Sequence, residues 1–153
     1  MPQLISGSCI IASLAQGDGA TIGRYPVEDT SLLPKRIVTL PSGFRPSQWL
    51  LQALPNGRYV LKNGGSPTAE HDGLLFAYLL DDKQEEWEIN YRGNHNAYTI
   101  ERASGESGWV LPDDLEPETQ VALRPLRATM SIPPQFPDSE LWKITLLHRD
   151  KET

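Results

Sequence analysis

The stretch Gln48-Trp49-Leu50-Leu51-Gln52-Ala53-Leu54-Pro55-Asn56-Gly57-Arg58-Tyr59-Val60-Leu61-Lys62-Asn63 decides the fold, because the chain writes it again. A second copy runs Glu86-Trp87-Glu88-Ile89-Asn90-Tyr91, turns at Arg92-Gly93-Asn94-His95-Asn96, and returns as Ala97-Tyr98-Thr99-Ile100-Glu101. The first half recurs once more as Leu141-Trp142-Lys143-Ile144-Thr145-Leu146-Leu147. Alternating apolar residues on two arms with Pro-Asn-Gly or Gly-Asn-His-Asn between them are the signature of a β-hairpin. Repetition of such a unit points to hairpins stacked or arranged about an axis.

Short alternating segments bounded by turn residues continue in both directions. They predict strands near 8–12, 20–25, 35–40, 48–53, 58–62, 67–70, 74–80, 87–91, 97–101, 108–111, 119–124 and 141–147. No segment carries a convincing helical period, and the 13 prolines and 12 glycines agree with many turns. The Trp strands close three successive blocks, 8–53, 58–91 and 97–147. Twelve strands in three blocks of four lead to the expectation of an all-β chain folded as a β-trefoil, one domain over residues 1–153. Trp49, Trp87 and Trp142 are expected in its core and Trp109 is expected to be less central.

Composition narrows the function. A net charge of −6 offers no basic stripe for nucleic acid or anionic lipid, so neither a nucleic-acid nor a membrane partner is expected. Cys9 is the single cysteine, so the fold is held without an internal disulfide, and its apolar neighbours Ile10 and Ile11 predict a packed rather than reactive thiol. The apolar N-terminal stretch follows no Lys or Arg and alternates like a strand, so a cytoplasmic monomer is the expectation. His71, His95 and His148 lack ligand spacing, which argues against a metal. Gly17-Asp18-Gly19-Ala20-Thr21-Ile22-Gly23 leads into a strand where a phosphate loop needs a helix. The acidic clusters Asp81-Asp82 with Glu85-Glu86, and Asp113-Asp114 with Glu116 and Glu118, fall on turns where nothing separates their environments. No cofactor is implied. A binding protein is expected rather than an enzyme.

Two long connections mix arginine, apolar residues and proline: 22–34, between the second and third strands, and 124–137, between the eleventh and twelfth. Proline restrains such a segment before a partner arrives, so less entropy is lost on binding.

Six collinear pieces carry a family resemblance: Glu28-Asp29-x-Ser31-Leu32-x-Pro34-Lys35-Arg36-Ile37-Val38, Tyr59-Val60-Leu61-x-Asn63-x-Gly65-x-Pro67-Thr68-Ala69, Leu75-Phe76-Ala77, Asn96-Ala97-Tyr98-x-Ile100, Gly108-Trp109-Val110-x-Pro112-Asp113 and Pro133-Pro134-x-Phe136-Pro137. From about Gly7 to Leu147 the chain resembles the fungal β-trefoil serine protease inhibitors of the cospin or mycospin type. The resemblance implies reversible, substrate-like binding of a trypsin- or chymotrypsin-type protease through one exposed loop, and points to the first connection; defence is the role expected of such a protein.

Arginine suits the carboxylate at the base of a trypsin-like pocket. In the loop Ile22, Gly23, Arg24, Tyr25, Pro26 and Val27, Arg24 is therefore the leading P1 residue, the one that enters the specificity pocket. Tyr25 would suit chymotrypsin but places Pro26 at the next position. Glu28, Asp29 and Ser31 are candidates to hold that loop by hydrogen bonds. Leu126, Arg127 and Ala128 form the alternative protease-binding loop, with a small residue after the arginine. Asn63 is a further candidate, toward asparaginyl endopeptidases. Inhibition of cysteine proteases and a carbohydrate-binding trefoil, the latter through Trp109 and Asp113, are the rival readings.

Overall fold

The computed structural model describes residues 4–16, 20–25, 30–41, 45–80, 83–105, 107–112 and 119–147. They form twelve strands: β1 (Gly7–Ser13), β2 (Ala20–Arg24), β3 (Lys35–Thr39), β4 (Trp49–Ala53), β5 (Tyr59–Asn63), β6 (Ser66–His71), β7 (Leu74–Ala77), β8 (Trp87–Arg92), β9 (Ala97–Arg102), β10 (Gly108–Val110), β11 (Ala122–Arg124) and β12 (Trp142–Leu146). Each overlaps a predicted strand. Two short 3-10 turns, Leu14–Gln16 and Asp138–Glu140, had no counterpart in the sequence pattern.

The repeated stretch folds as the hairpin its turn chemistry dictates. β4 pairs with β5 from Trp49↔Asn63 to Ala53↔Tyr59. Between them Gly57 takes φ +87°, a conformation that favours glycine. Alternation in β4 sorts the side chains: Trp49 and Leu51 are buried, while Leu50 faces solvent. The second copy forms β8–β9 in the same way, from Trp87↔Arg102 to Arg92↔Ala97.

The expected β-trefoil is corrected by the pairing between hairpins. Hydrogen bonds join the strands into one continuous antiparallel sheet in the order β10-β11-β7-β3-β2-β1-β12-β9-β8-β5-β4, with β6 bridging β5 and β7. Pairing of β1 with β4 and of β10 with β9 closes this sheet as a barrel. The blocks are not the equivalent units that the repeats suggested. β7 pairs with β3, β6 and β11, whereas β3 meets the 119–121 segment through the bridge Val38↔Gln120. A sequence repeat reports local hairpins, whose formation depends on adjacent residues. How hairpins then join depends on residues far apart in the chain, which no local period records.

The centre of the core corrects a second expectation. Trp109 is fully buried, and the other three indoles surround it at centroid distances of 5.7 Å (Trp49), 5.4 Å (Trp87) and 6.0 Å (Trp142). The last two contacts are edge-to-face, an arrangement favoured by the ring quadrupoles. The indole N–H of Trp49 donates to the Ile22 carbonyl at 2.9 Å, and that of Trp142 to the Trp109 carbonyl at 3.0 Å. Replacing Trp109 with alanine is expected to cost about 3–5 kcal/mol in denaturant unfolding, as for other large-to-small core changes.

Cys9 lies in the same core with no exposed surface, and burial pushes its thiol up to about 12. The thiolate is the nucleophile, so at pH 8 the native chain should resist alkylation and label only after denaturation. Labelling of folded protein at the rate of a free thiol would contradict this placement.

Candidate functional site

The first long connection begins inside the sheet. Ile22, Gly23 and Arg24 are β2 residues, as the strand expected at 20–25 implied, and pair with Thr39, Val38 and Ile37 of β3. Ile22 is fully buried, and a Cβ on Gly23 would lie 2.4 Å from the Cβ of Ser47. The Arg24 main-chain N–H donates to Asn63 Oδ1 at 2.9 Å, and its guanidinium reaches Ser66 Oγ at 3.4 Å. Offering these three residues to a protease would therefore require β2 to unpair from β3. Tyr25 is half-buried, and Pro26, Val27, Glu28 and Asp29 lie outside the described residues. The Ser31 hydroxyl accepts from the Leu33 N–H at 3.4 Å and from Lys35 Nζ at 3.3 Å, both on its own side of the connection. Beside it, Leu32 and Leu33 are exposed.

Asn63 is not presented to solvent. Its side chain is buried, with Nδ2 donating to Ser47 Oγ at 2.9 Å and Oδ1 held by Arg24. It is a clasp for β2 rather than bait for an asparaginyl endopeptidase. Trp109, the aromatic of the sugar-binding rival, is the centre of the core and has no face to stack on a sugar. Its companion Asp113 lies outside the described residues.

The second connection leaves the barrel at Arg124 and returns at Leu141. Leu126 anchors its start by packing on a small cluster of Ala97, Phe136 and Leu141. That packing depends on Gly108, where a Cβ would meet the Ile100 carbonyl at 2.8 Å and the Leu126 methyls at 3.1 and 3.2 Å. Next, the Arg127 N–H donates to both carboxylate oxygens of Glu140, at 3.0 and 2.9 Å. Glu140 is almost wholly buried, while the Arg127 side chain is 74% exposed with Nε 3.6 Å from the same carboxylate. Ala128 is exposed.

Beyond Ala128 the chain narrows to a tip closed on itself. Thr129 N–H donates to the Gln135 carbonyl at 2.9 Å, and Gln135 N–H donates to Thr129 Oγ1 at 3.0 Å. Ser131 Oγ lies 2.6 Å from Thr129 Oγ1 and donates to the Pro133 carbonyl at 2.9 Å. A serine hydroxyl has one hydrogen, so with that hydrogen on Pro133 the Thr129 hydroxyl is the donor in the pair between them. The tip's polar groups are thus turned inward. Its two large apolar side chains point out, Met130 fully and Ile132 98% exposed.

The β8–β9 turn, recognised from sequence only as a hairpin tip, buttresses the returning limb. Asn94 Nδ2 donates to the Pro134 carbonyl at 3.1 Å, and the Phe136 N–H donates to His95 Nε2 at 3.1 Å, which requires that nitrogen to be unprotonated. The Arg92 guanidinium sits 4.6 Å from the centre of the Phe136 ring. A shallow groove of about 430 Å³ lies against the connection, lined by Arg127, Thr129, Gln135, Phe136 and Pro137. Among the described residues no group of three or more His, Cys, Asp or Glu could hold a metal ion.

The model of the family described as Peptidase inhibitor I66 matches residues 1–146. The chain belongs to that family. Its homologues are protease inhibitors and not enzymes, as the sequence led us to expect. A curated relative from Lentinula edodes, named a serine protease inhibitor, is 35% identical over 130 residues, which span 82% of this chain and 89% of the relative. A proteinase inhibitor from Coprinopsis cinerea, solved at high resolution, is 37% identical with a TM-score of 0.84, covering 95% of this chain and all of that one. A ricin B-like lectin from Macrolepiota procera, solved in complex with lactose, covers 96% of this chain with a TM-score of 0.68 at 20% identity, and at that distance shares the fold alone.

Sequence reasoning missed Glu140, Asn94 and His95. For Glu140 the sequence carried no signal, because it lies in the 3-10 turn just before β12, where strand alternation does not apply. Glu140→Ala would leave the Arg127 N–H without either acceptor, and is expected to cost about 1–3 kcal/mol of stability. Limited proteolysis should then cut between 124 and 137 faster than in the parent, whereas Glu140→Gln, which keeps one acceptor, should fall between the two.

Proposed function

We propose that this I66 inhibitor is a reversible, substrate-like inhibitor of serine proteases that docks through the connection between β11 and β12. The observation that carries the reading is the grip of buried Glu140 on the Arg127 N–H, below a tip closed by Thr129 and Gln135. A protease binds an extended segment by adding its own hydrogen bonds to the segment's backbone, and a segment already ordered loses little entropy in doing so. The same order keeps the two sides of an attacked peptide bond together, which favours religation over release. The serine class is supported by the name of the Lentinula edodes relative.

A second reading is a trypsin-type target with Arg127 at P1, and the 74% exposure of that side chain favours it. In that reading Leu126 and Ala128 would flank the reactive bond.

An inhibition panel over chymotrypsin, trypsin, subtilisin, papain and legumain checks the class. Tight, competitive, near-stoichiometric inhibition of at least one serine protease is expected, with papain and legumain left active. Glu140→Ala should still bind at first but lose inhibition over time as the loosened segment is digested. A panel in which only a cysteine protease is inhibited would overturn the assignment.

A further inference from the structure

Resting on that reading, we infer that the reactive bond is Met130–Ser131, and that the partner is a serine protease whose specificity pocket is apolar. An extended segment is bound through its main-chain donors and acceptors, so the residue entering the pocket needs its own N–H available to the enzyme. The Arg127 N–H is committed to both oxygens of a buried carboxylate, which makes Arg127 part of the foundation.

The tip carries the side chains that are offered. Met130 and Ile132 are the most exposed of the large apolar residues among those described, at 100% and 98%. They stand on either side of Ser131, whose hydroxyl is turned into the tip's own relay. Two features separate them. Ile132 is branched at Cβ and precedes Pro133, whose ring would occupy the position just past the bond and which has no N–H to donate. Met130 is unbranched and polarizable, suited to fill an apolar slot, and is followed by a small residue.

The neighbours match a bond that is attacked but not released. Thr129, directly before Met130, holds Gln135 through both its N–H and its hydroxyl and reaches Ser131 on the far side of the bond. The residues on both sides of Met130–Ser131 therefore stay tethered to one another without that bond. A pocket with a carboxylate at its base would receive no cation from Met130, whereas a hydrophobic slot of the chymotrypsin kind would bury it fully.

The test compares the parent chain with Met130→Ala, Met130→Arg, Ile132→Ala and Arg127→Ala against chymotrypsin and trypsin, with thermal melts to verify folding. All three side chains are mostly in solvent, so unchanged melts are expected. The parent should inhibit chymotrypsin, and Met130→Ala should weaken this by about 30-fold or more, the scale of a hot-spot truncation. Met130→Arg should move inhibition to trypsin, while Ile132→Ala and Arg127→Ala should stay within a few-fold of the parent. On long incubation with chymotrypsin the bond should hydrolyse slowly, water giving its hydroxyl to the Met130 carbonyl carbon and a proton to the Ser131 nitrogen. The new N-terminus would then be Ser131. Inhibition of a serine protease that Met130→Ala leaves intact, or trypsin inhibition lost in Arg127→Ala, would overturn this inference and leave serine protease inhibition standing. If the parent inhibits no serine protease, both fall together.

Discussion

Three indole rings pressed on Trp109 are the contact on which the rest of the molecule depends. This chain has one cysteine, so nothing covalent closes the barrel and its stability comes from burial and hydrogen bonding. Each indole arrives from a different strand, β4, β8, β10 or β12, so the cluster fixes how those strands sit relative to one another. Two of the rings also tie distant backbone through their N–H groups, to Ile22 on β2 and to Trp109 on β10. The cluster is at once the hydrophobic centre and a clamp on the ladder.

The same indoles transmit their rigidity to the surface. Glu140 ends the 3-10 turn that leads into β12, so its carboxylate beneath the β11–β12 connection is two residues from the Trp142 indole. Leu126 packs against Gly108, directly before Trp109, in a contact that tolerates no side chain there. His95 and Asn94 extend from the turn between β8 and β9, whose first strand begins with Trp87. Three of the four indoles thus have a loop brace close by in sequence. A core that holds its indoles in one arrangement also holds the feet of the loop.

Much of the secondary structure was legible in the sequence, and the reason is local. Trp49, Leu51 and the Pro55-Asn56-Gly57 turn each act within a hairpin, where neighbours in sequence are neighbours in space. What was not legible depends on residues far apart. Trp109 carries no mark that separates a central indole from a peripheral one, since its role is fixed by three partners up to 60 residues away. The expected trefoil went the same way, because repeats describe hairpins and not the ladder that joins them. The two arginine- and proline-bearing connections were visible in composition, but the contacts that hold them were not. Arg24 falls both in the strand expected at 20–25 and in the connection 22–34, and what fixes it in the strand is an N–H captured by Asn63, 39 residues on.

How a disulfide-free protein keeps the β11–β12 connection ordered comes down to where its polar groups face. Met130 and Ile132 point outward and gain nothing from the fold, while Thr129, Ser131 and Gln135 bond to one another and to the tip's own carbonyls. Water competes for such exposed hydrogen bonds, so the tip pairs alone would contribute little net stability. The Glu140 pair differs because its carboxylate is out of water, and a buried charge left without donors is costly. Opening the loop base would strip that carboxylate of the Arg127 N–H while the rest of the barrel stays folded around it. Local opening is therefore opposed by the cost of leaving a buried carboxylate without its donor, which exceeds the modest worth of a surface hydrogen bond.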